Sequence, residues 1–209
     1  MIPATEALER LKAGNRRFAS DSSTPSALTS QAKRESVAHE QKPFAIILGC
    51  SDSRVPAEMV FDQGIGDLFV IRVAGNIVAP SQIGSVEFAA AKTGARLVVV
   101  MGHPNCGAVT ATLDELEEPS ENRSPNLRSI VDRIRPAIEQ LANGNLRGDR
   151  PALVRRAVRA NARAAVDHLR HGSKIIEELI ESDNLAIVGA EYSLEDGQLE
   201  FFDHVPGKD

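Results

Sequence analysis

A chain of 209 residues, 42% hydrophobic, is long enough for one substantial core and too short to favour two, so a single domain over residues 1–209 is expected. Its 24 basic and 29 acidic residues give a net charge of −5 without a long single-sign run. That pattern excludes the electrostatic footprint of a nucleic-acid or anionic-membrane binder and leaves small solutes as the expected partners.

The longest apolar runs, about six to eight residues, fall far below the roughly 20 that a membrane span needs. The opening M-I-P-A-T-E-A-L-E-R is acidic and amphipathic rather than signal-like, so a cytoplasmic location is expected. In chain order, Ala4, Leu8, Leu11 and Phe18 recur at helical spacing and predict an amphipathic helix over residues 5–20. Residues 21–30, rich in Ser, Thr and Pro, read as a loop. A weaker helix over residues 31–39 leads through Lys42 and Pro43 to a strand over residues 44–49. After Arg54 the chain turns at Pro56 into a short helix through Met59, Val60 and Phe61, which Q-G-I-G-D breaks.

A second apolar strand follows over residues 68–73, then a helix over 80–92 with Ile83, Val86 and Ala90 on one face, then a third strand over 96–101. A helix over 109–116 precedes the exposed loop E-E-P-S-E-N-R-S-P-N. Leu127, Ile130, Val131, Ile134, Ile138 and Leu141 then share a helical face, with Pro136 expected to kink or split the element. Arg155, Arg156, Arg159 and Arg163 on a helix over 151–170 read as a solvated face rather than an anion site. Ser173 caps a short helix through Ile175, Ile176, Leu179 and Ile180. Residues 185–189 and 198–202, separated by L-E-D-G, are a fourth strand and an edge strand running the other way. This alternation predicts an α/β fold, a mostly parallel central sheet of four strands plus an antiparallel edge strand, with helices on both faces.

The chemistry gathers at two strand tips. The first strand runs into C-S-D-S-R and the third into G-H-P-N-C-G, so Cys50, His103 and Cys106 stand where open α/β sheets bind ligands. These are the only two cysteines, and in a cytosolic chain a cysteine pair is more often a metal site or reactive thiols than a disulfide. Two thiolates and one imidazole are a zinc donor set that leaves the fourth position to water. Close parallel strands with aligned tips would deliver Cys50 to the pair His103 and Cys106, and a helix starting near Cys106 would point amide donors at thiolate charge. Asp52 and Arg54, two positions apart, can form a charge-assisted pair that holds a carboxylate beside the metal, either accepting a hydrogen bond from water or ligating directly. His39, His168, His171 and His204 read as surface residues. A phosphatase-type thiol nucleophile is disfavoured because the spacing is C-x3-R rather than C-x5-R, and a dinucleotide fold because C-S-D-S-R occupies the place of G-x-G-x-x-G. A zinc site of purely structural use would not need Asp52 and Arg54 beside it.

The motifs C-S-D-S-R-V, F-D-Q-G-I-G-D-L-F-V-I-R-V-A-G-N and G-H-P-N-C-G-A closely resemble the β-class carbonic anhydrases, and the resemblance runs through nearly the whole chain. It implies reversible hydration of carbon dioxide to bicarbonate by zinc-bound hydroxide, one Zn2+ per subunit, with Cys50, His103 and Cys106 as ligands. It implies a dyad in which Asp52 accepts from the hydroxide in an open state and becomes the fourth ligand in a closed state when Arg54 releases it. It further implies a homo-oligomer, a dimer or a dimer of dimers, with the N-terminal helix lying across a partner subunit. Gln41 and Phe69 fall on substrate-pocket positions of plant-type members, and Gly107 supplies an amide beside the site. Ile47 stands where the bicarbonate-inhibited bacterial subgroup has Trp, which favours the plant-type subgroup and the open state at neutral pH. Two departures are Pro104, where Ser or Thr is common, and Phe88, where Tyr is common. Hydrolysis of carbonyl sulfide or carbon disulfide on the same metal is the alternative activity, associated with C-M-D-A-R rather than C-S-D-S-R.

Overall fold

Five strands form one sheet in the order β2-β1-β3-β4-β5. The computed structural model describes residues 2–23, 29–119, 124–144 and 148–202, so His204 and parts of the predicted loops at 24–28 and 120–123 lie outside the described residues. β1 (Ala45–Gly49), β2 (Leu68–Arg72), β3 (Leu97–Gly102) and β4 (Ala186–Tyr192) pair in parallel, and β5 (Leu199–Phe201) pairs antiparallel with β4. The expected four-plus-one sheet is therefore present. The continuous apolar runs of β1 and β3 are explained by burial on both faces, since every residue of each strand is buried.

Helices cover both faces. On one side α1 (Ala4–Ala19) and α3 (Ala57–Val60) pack on Ala45 and Ile47 of β1, Leu97, Val99 and Met101 of β3, and Val188 and Ala190 of β4. On the other, α4 (Pro80–Thr93), α7 (Arg150–His171) and α8 (Lys174–Asp183) meet Ile46, Leu48, Val98, Val100 and Ile187. Successive strand residues alternate between these two cores, as the pleat requires. The short α2 (Gln31–Val37) is capped by Ser30 and buries nothing. Ser173 caps α8 by accepting from the Ile176 amide, as its sequence indicates.

α1 buries Ala4, Ala7, Leu8 and Leu11 in its own chain's core. A Cβ on Gly14 would lie 1.8 Å from the Phe61 carbonyl oxygen, so only glycine lets the helix sit this close. Next to it, buried Asn15 donates to the carbonyls of Val60 and Gly197 and accepts from the Leu199 amide, tying α1 to α3 and to the β4–β5 hairpin. Whatever α1 offers a second subunit is thus its outer face.

α5 (Gly107–Glu117) and α6 (Pro125–Ala142) stack with α7 into a third core, built from Val109, Leu113, Ile134, Ile138, Leu153 and Val158, which backs Cys50 and Cys106. Pro136 lies inside α6 without dividing it. Leu127, expected on the buried face, is exposed in the first turn. Arg159 is not simply solvated: its guanidinium pairs with Glu191 on β4 and Glu200 on β5, which are register partners, while Arg163 lies 4.7 Å over the Phe202 ring. His39, His168 and His171 are exposed, as expected. Among the described residues no helix is long and apolar enough to cross a membrane.

Candidate metal centre

β1 and β3 are neighbours, and Gly49 pairs with Met101, so Cys50 and the Gly102-His103 step leave the sheet at the same level. Asn105, at φ 54°, turns the chain back so that Cys106 becomes the residue that begins α5. The result brings together three side chains from two strand ends. Cys50, His103 and Cys106 are 5%, 0% and 1% exposed, and their ligating atoms all lie within 4.8 Å of one another.

The donor set fits zinc. The two sulfurs are 4.0 Å apart, and a tetrahedral ion at its usual bond length from each would set them about 3.8 Å apart. His103 Nδ1 donates to the Pro104 carbonyl at 2.9 Å, which fixes the tautomer and leaves Nε2 with its lone pair. That Nε2 is buried and has no hydrogen-bond partner among the described residues. An orphaned acceptor in the interior is costly, and a cation between it and the sulfurs removes the cost.

Charge at the thiols is prepared in the same sense. The Cys106 thiol donates toward Cys50, and with help from His103 and the Gly75 and Asp52 amides it holds Cys50 well below the usual thiol range against the effect of burial. Cys106 is pushed far up because it keeps the shared proton beside a thiolate in a buried position, even though the Val109 and Ala108 amides of the α5 N-terminus favour its ionised form. A divalent cation takes the place of that one proton and holds both groups as thiolates.

Asp52 stands at the mouth. Arg54 grips it as a fork, Nε to Oδ1 at 2.9 Å and Nη2 to Oδ2 at 2.8 Å, and the Arg54 amide adds a bond to Oδ1 at 3.0 Å. The guanidinium holds the Asp52 carboxyl well below the usual carboxylate range. Oδ2 lies 3.9 Å from His103 Nε2, so the carboxylate stands beside the three-residue cluster.

Gln41 and Phe69 are not brought to this end of the chain's own sheet. Phe69 pairs with Ile46, four residues before Cys50, which places it about 13 Å down the sheet at about 3.3 Å per residue. Gln41 precedes β1 altogether and is exposed. Phe88, half-exposed, packs its ring 6.2 Å from that of Phe69 at the same end. Gly107 opens α5, and a Cβ built on it would meet nothing within 4 Å.

Three contributors had no mark in the sequence. Arg72 donates to the carbonyls of Cys50 and Asp52. The Gly75 amide donates to Cys50 Sγ at 3.3 Å, and Asn161 holds the Gly75 carbonyl from behind. Only the R-V-A-G-N stretch that begins on the last residue of β2 could have hinted at the first two.

A family profile described as carbonic anhydrase matches residues 45–199. The chain belongs to the β-carbonic anhydrase family. Carbonic anhydrase 2 of Mycobacterium tuberculosis is 39% identical over 204 residues, covering 95% of this chain and 93% of its own, and a carbonic anhydrase of Mycolicibacterium smegmatis is 39% identical over 202 residues with the same coverage. Among solved structures, the β-carbonic anhydrase CafA of Aspergillus fumigatus superposes with a TM-score of 0.73 at 26% identity, covering 95% of this chain and 90% of its own. A tetrameric β-carbonic anhydrase of Sordaria macrospora shares the fold, with a TM-score of 0.71 at 23% identity and coverage of 97% and 100%. β-Carbonic anhydrases are zinc enzymes of the reversible hydration of carbon dioxide to bicarbonate, and the Cys50, His103 and Cys106 cluster is a set that could hold the ion.

Proposed function

We propose that in this carbonic anhydrase Cys50, His103 and Cys106 hold the zinc, Asp52 and Arg54 form the catalytic dyad, and Gln41 and Phe69 complete the substrate pocket of a second copy. Zinc held by these three residues would lower the pKa of coordinated water to about 7. Asp52, ionised and acceptor-only, would accept a hydrogen bond from solvent at the site and orient it toward carbon dioxide. Arg54 keeps that carboxylate charged and held in its fork, which favours the open state. The Gly75, Ala108 and Val109 amides hold the thiolate charge in place while the substrate changes its own.

The observation that carries this reading is the buried, unpartnered His103 Nε2 facing two sulfurs, with the Asp52–Arg54 fork at the entrance. Support for the oligomer is geometric: Gln41 and Phe69 lie away from their own metal centre and would meet one from another subunit, and Phe69 packs beside half-exposed Phe88. A dimer or dimer of dimers in the cytoplasm accommodates this, and the tetramer of Sordaria macrospora is consistent with it.

Metal analysis with stopped-flow assays of carbon dioxide and carbonyl sulfide provides the test. About one zinc per chain with turnover of carbon dioxide is expected. Full hydration activity after zinc removal, or turnover confined to carbonyl sulfide, contradicts the proposal.

A further inference from the structure

Arg72 is the last residue of β2 and pairs in register with Gly49, so its side chain leaves the sheet beside the start of the 50–54 loop. Nε donates to the Cys50 carbonyl at 3.0 Å and Nη2 to the Asp52 carbonyl at 2.6 Å. One rigid, planar cation therefore fastens two peptide carbonyls, one on a metal ligand and one on the dyad carboxylate's own residue. Charge-assisted bonds of this kind are roughly twice as strong as neutral ones, and the fork fixes direction as well as distance.

We propose that Arg72 is a positioning residue, a backbone latch that holds the 50–54 loop in the one arrangement that keeps Asp52 on Arg54 and off the metal. The inference rests on the metal-centre reading above and extends it to a residue that touches neither the ligating atoms nor the carboxylate. Beyond Cys50, whose Sγ meets the Gly75 amide and the Cys106 thiol, the loop has little else to hold it. Ser51, Ser53 and Arg54 are exposed, and apart from the dyad itself the further ties among the described residues are the bond from the Val55 amide to the Asp52 carbonyl and a long contact from Arg54 to the Asn105 carbonyl. Meanwhile Asp52 Oδ2 stands only 3.9 Å from His103 Nε2. A shift of the Asp52 peptide by a fraction of that distance changes which partner the carboxylate can reach, and the Arg72 bond to the Asp52 carbonyl opposes it. Lysine at this position keeps the charge but replaces the rigid, planar fork by a point ammonium on a flexible stem, which fixes the two carbonyls less firmly.

Cobalt(II) in place of zinc reports the coordination directly by its visible spectrum, independently of turnover. For Arg72→Met, retained cobalt binding is expected, with carbon dioxide hydration lowered about 10- to 100-fold and an altered cobalt spectrum at neutral pH as Asp52 enters the coordination sphere. The double variant Arg72→Met/Asp52→Ala should then match Asp52→Ala alone, because no carboxylate is left to enter. Arg72→Lys should fall between wild type and Arg72→Met, and it carries the same spectral comparison should Arg72→Met fail to fold. A wild-type spectrum in both Arg72 variants overturns the latch, as does a spectral change that persists in the double variant. A wild-type chain that binds no cobalt through its thiolates overturns the metal-centre reading beneath it, an outcome distinguishable from the other two.

Discussion

Asn161 Nδ2 donates to the Gly75 carbonyl oxygen at 2.8 Å, from a side chain that is 3% exposed on α7. Gly75, at φ 70°, donates its own amide to Cys50 Sγ, so a helix more than eighty residues distant steadies the group that faces a ligand sulfur. Replacing Asn161 with Ala leaves that carbonyl buried without its donor, a loss of about 1–3 kcal/mol. We expect lower thermal stability in the zinc-loaded protein and about tenfold faster zinc transfer to a chelator. Unchanged transfer with lowered stability would confine Asn161 to the fold.

Asp52→Asn keeps the size of the side chain and removes its charge. The three metal ligands are untouched, so zinc should remain at about one per chain, whereas hydration of carbon dioxide should fall about a hundredfold or more. Zinc analysis and stopped-flow rates on the same preparation give both numbers. A fully active Asp52→Asn enzyme would remove Asp52 from the mechanism.

The cluster was legible because Cys50 and His103 sit directly after strands whose apolar runs are unmistakable, with Cys106 three residues on at the start of a helix, and parallel pairing of Gly49 with Met101 does the rest. The Asp52–Arg54 fork was legible for the same reason, being a local contact across two residues. Arg72 and Asn161 were not, because their partners are backbone carbonyls, which every residue carries and no sequence marks. Arg159 looked like one more solvated arginine on a basic helix. Its role depends on Glu191 and Glu200 coming into register, a long-range fact of the β4–β5 hairpin. Periodicity placed Leu127 on the apolar face of α6, but it cannot tell how far along the helix that face remains covered. Gln41 and Phe69 were assigned to a pocket by resemblance alone; no local pattern marks them, and their own metal centre is at the other end of the sheet.

Close approach of α1 to the turn after α3 makes Gly14 a sharp probe of how the N-terminal helix docks. An added Cβ meets a backbone carbonyl at 1.8 Å and the Gln63 amide at 2.8 Å, and the former cannot swing aside as a side chain would. Gly14→Ala should therefore destabilise by at least about 1–3 kcal/mol despite the better helix propensity of Ala. Chemical denaturation of the zinc-loaded enzyme measures it. A neutral or stabilising result would mean that α1 sits elsewhere in solution, for instance across a second subunit.

Tyr192 provides a pH prediction that does not involve the metal. It is the only tyrosine in a chain without tryptophan, 6% exposed, with its ring 6.4 Å from that of Phe18. Burial pushes its phenol above the usual value, and the charge of Asp196 adds to the effect. The unfolded chain ionises this group at about 10, before the folded chain does. Its stabilising contribution is accordingly complete below that value and is lost as pH rises toward the higher folded value, because only the unfolded state gains from releasing the proton. Tyrosinate absorbance in the native protein should show a midpoint above that in denaturant. The stability difference between wild type and Tyr192→Phe should stay constant through neutral pH and change only above about 10, with wild type declining the faster. A native midpoint at or below the denatured one would show that the phenol is solvated and that this edge of the core is open.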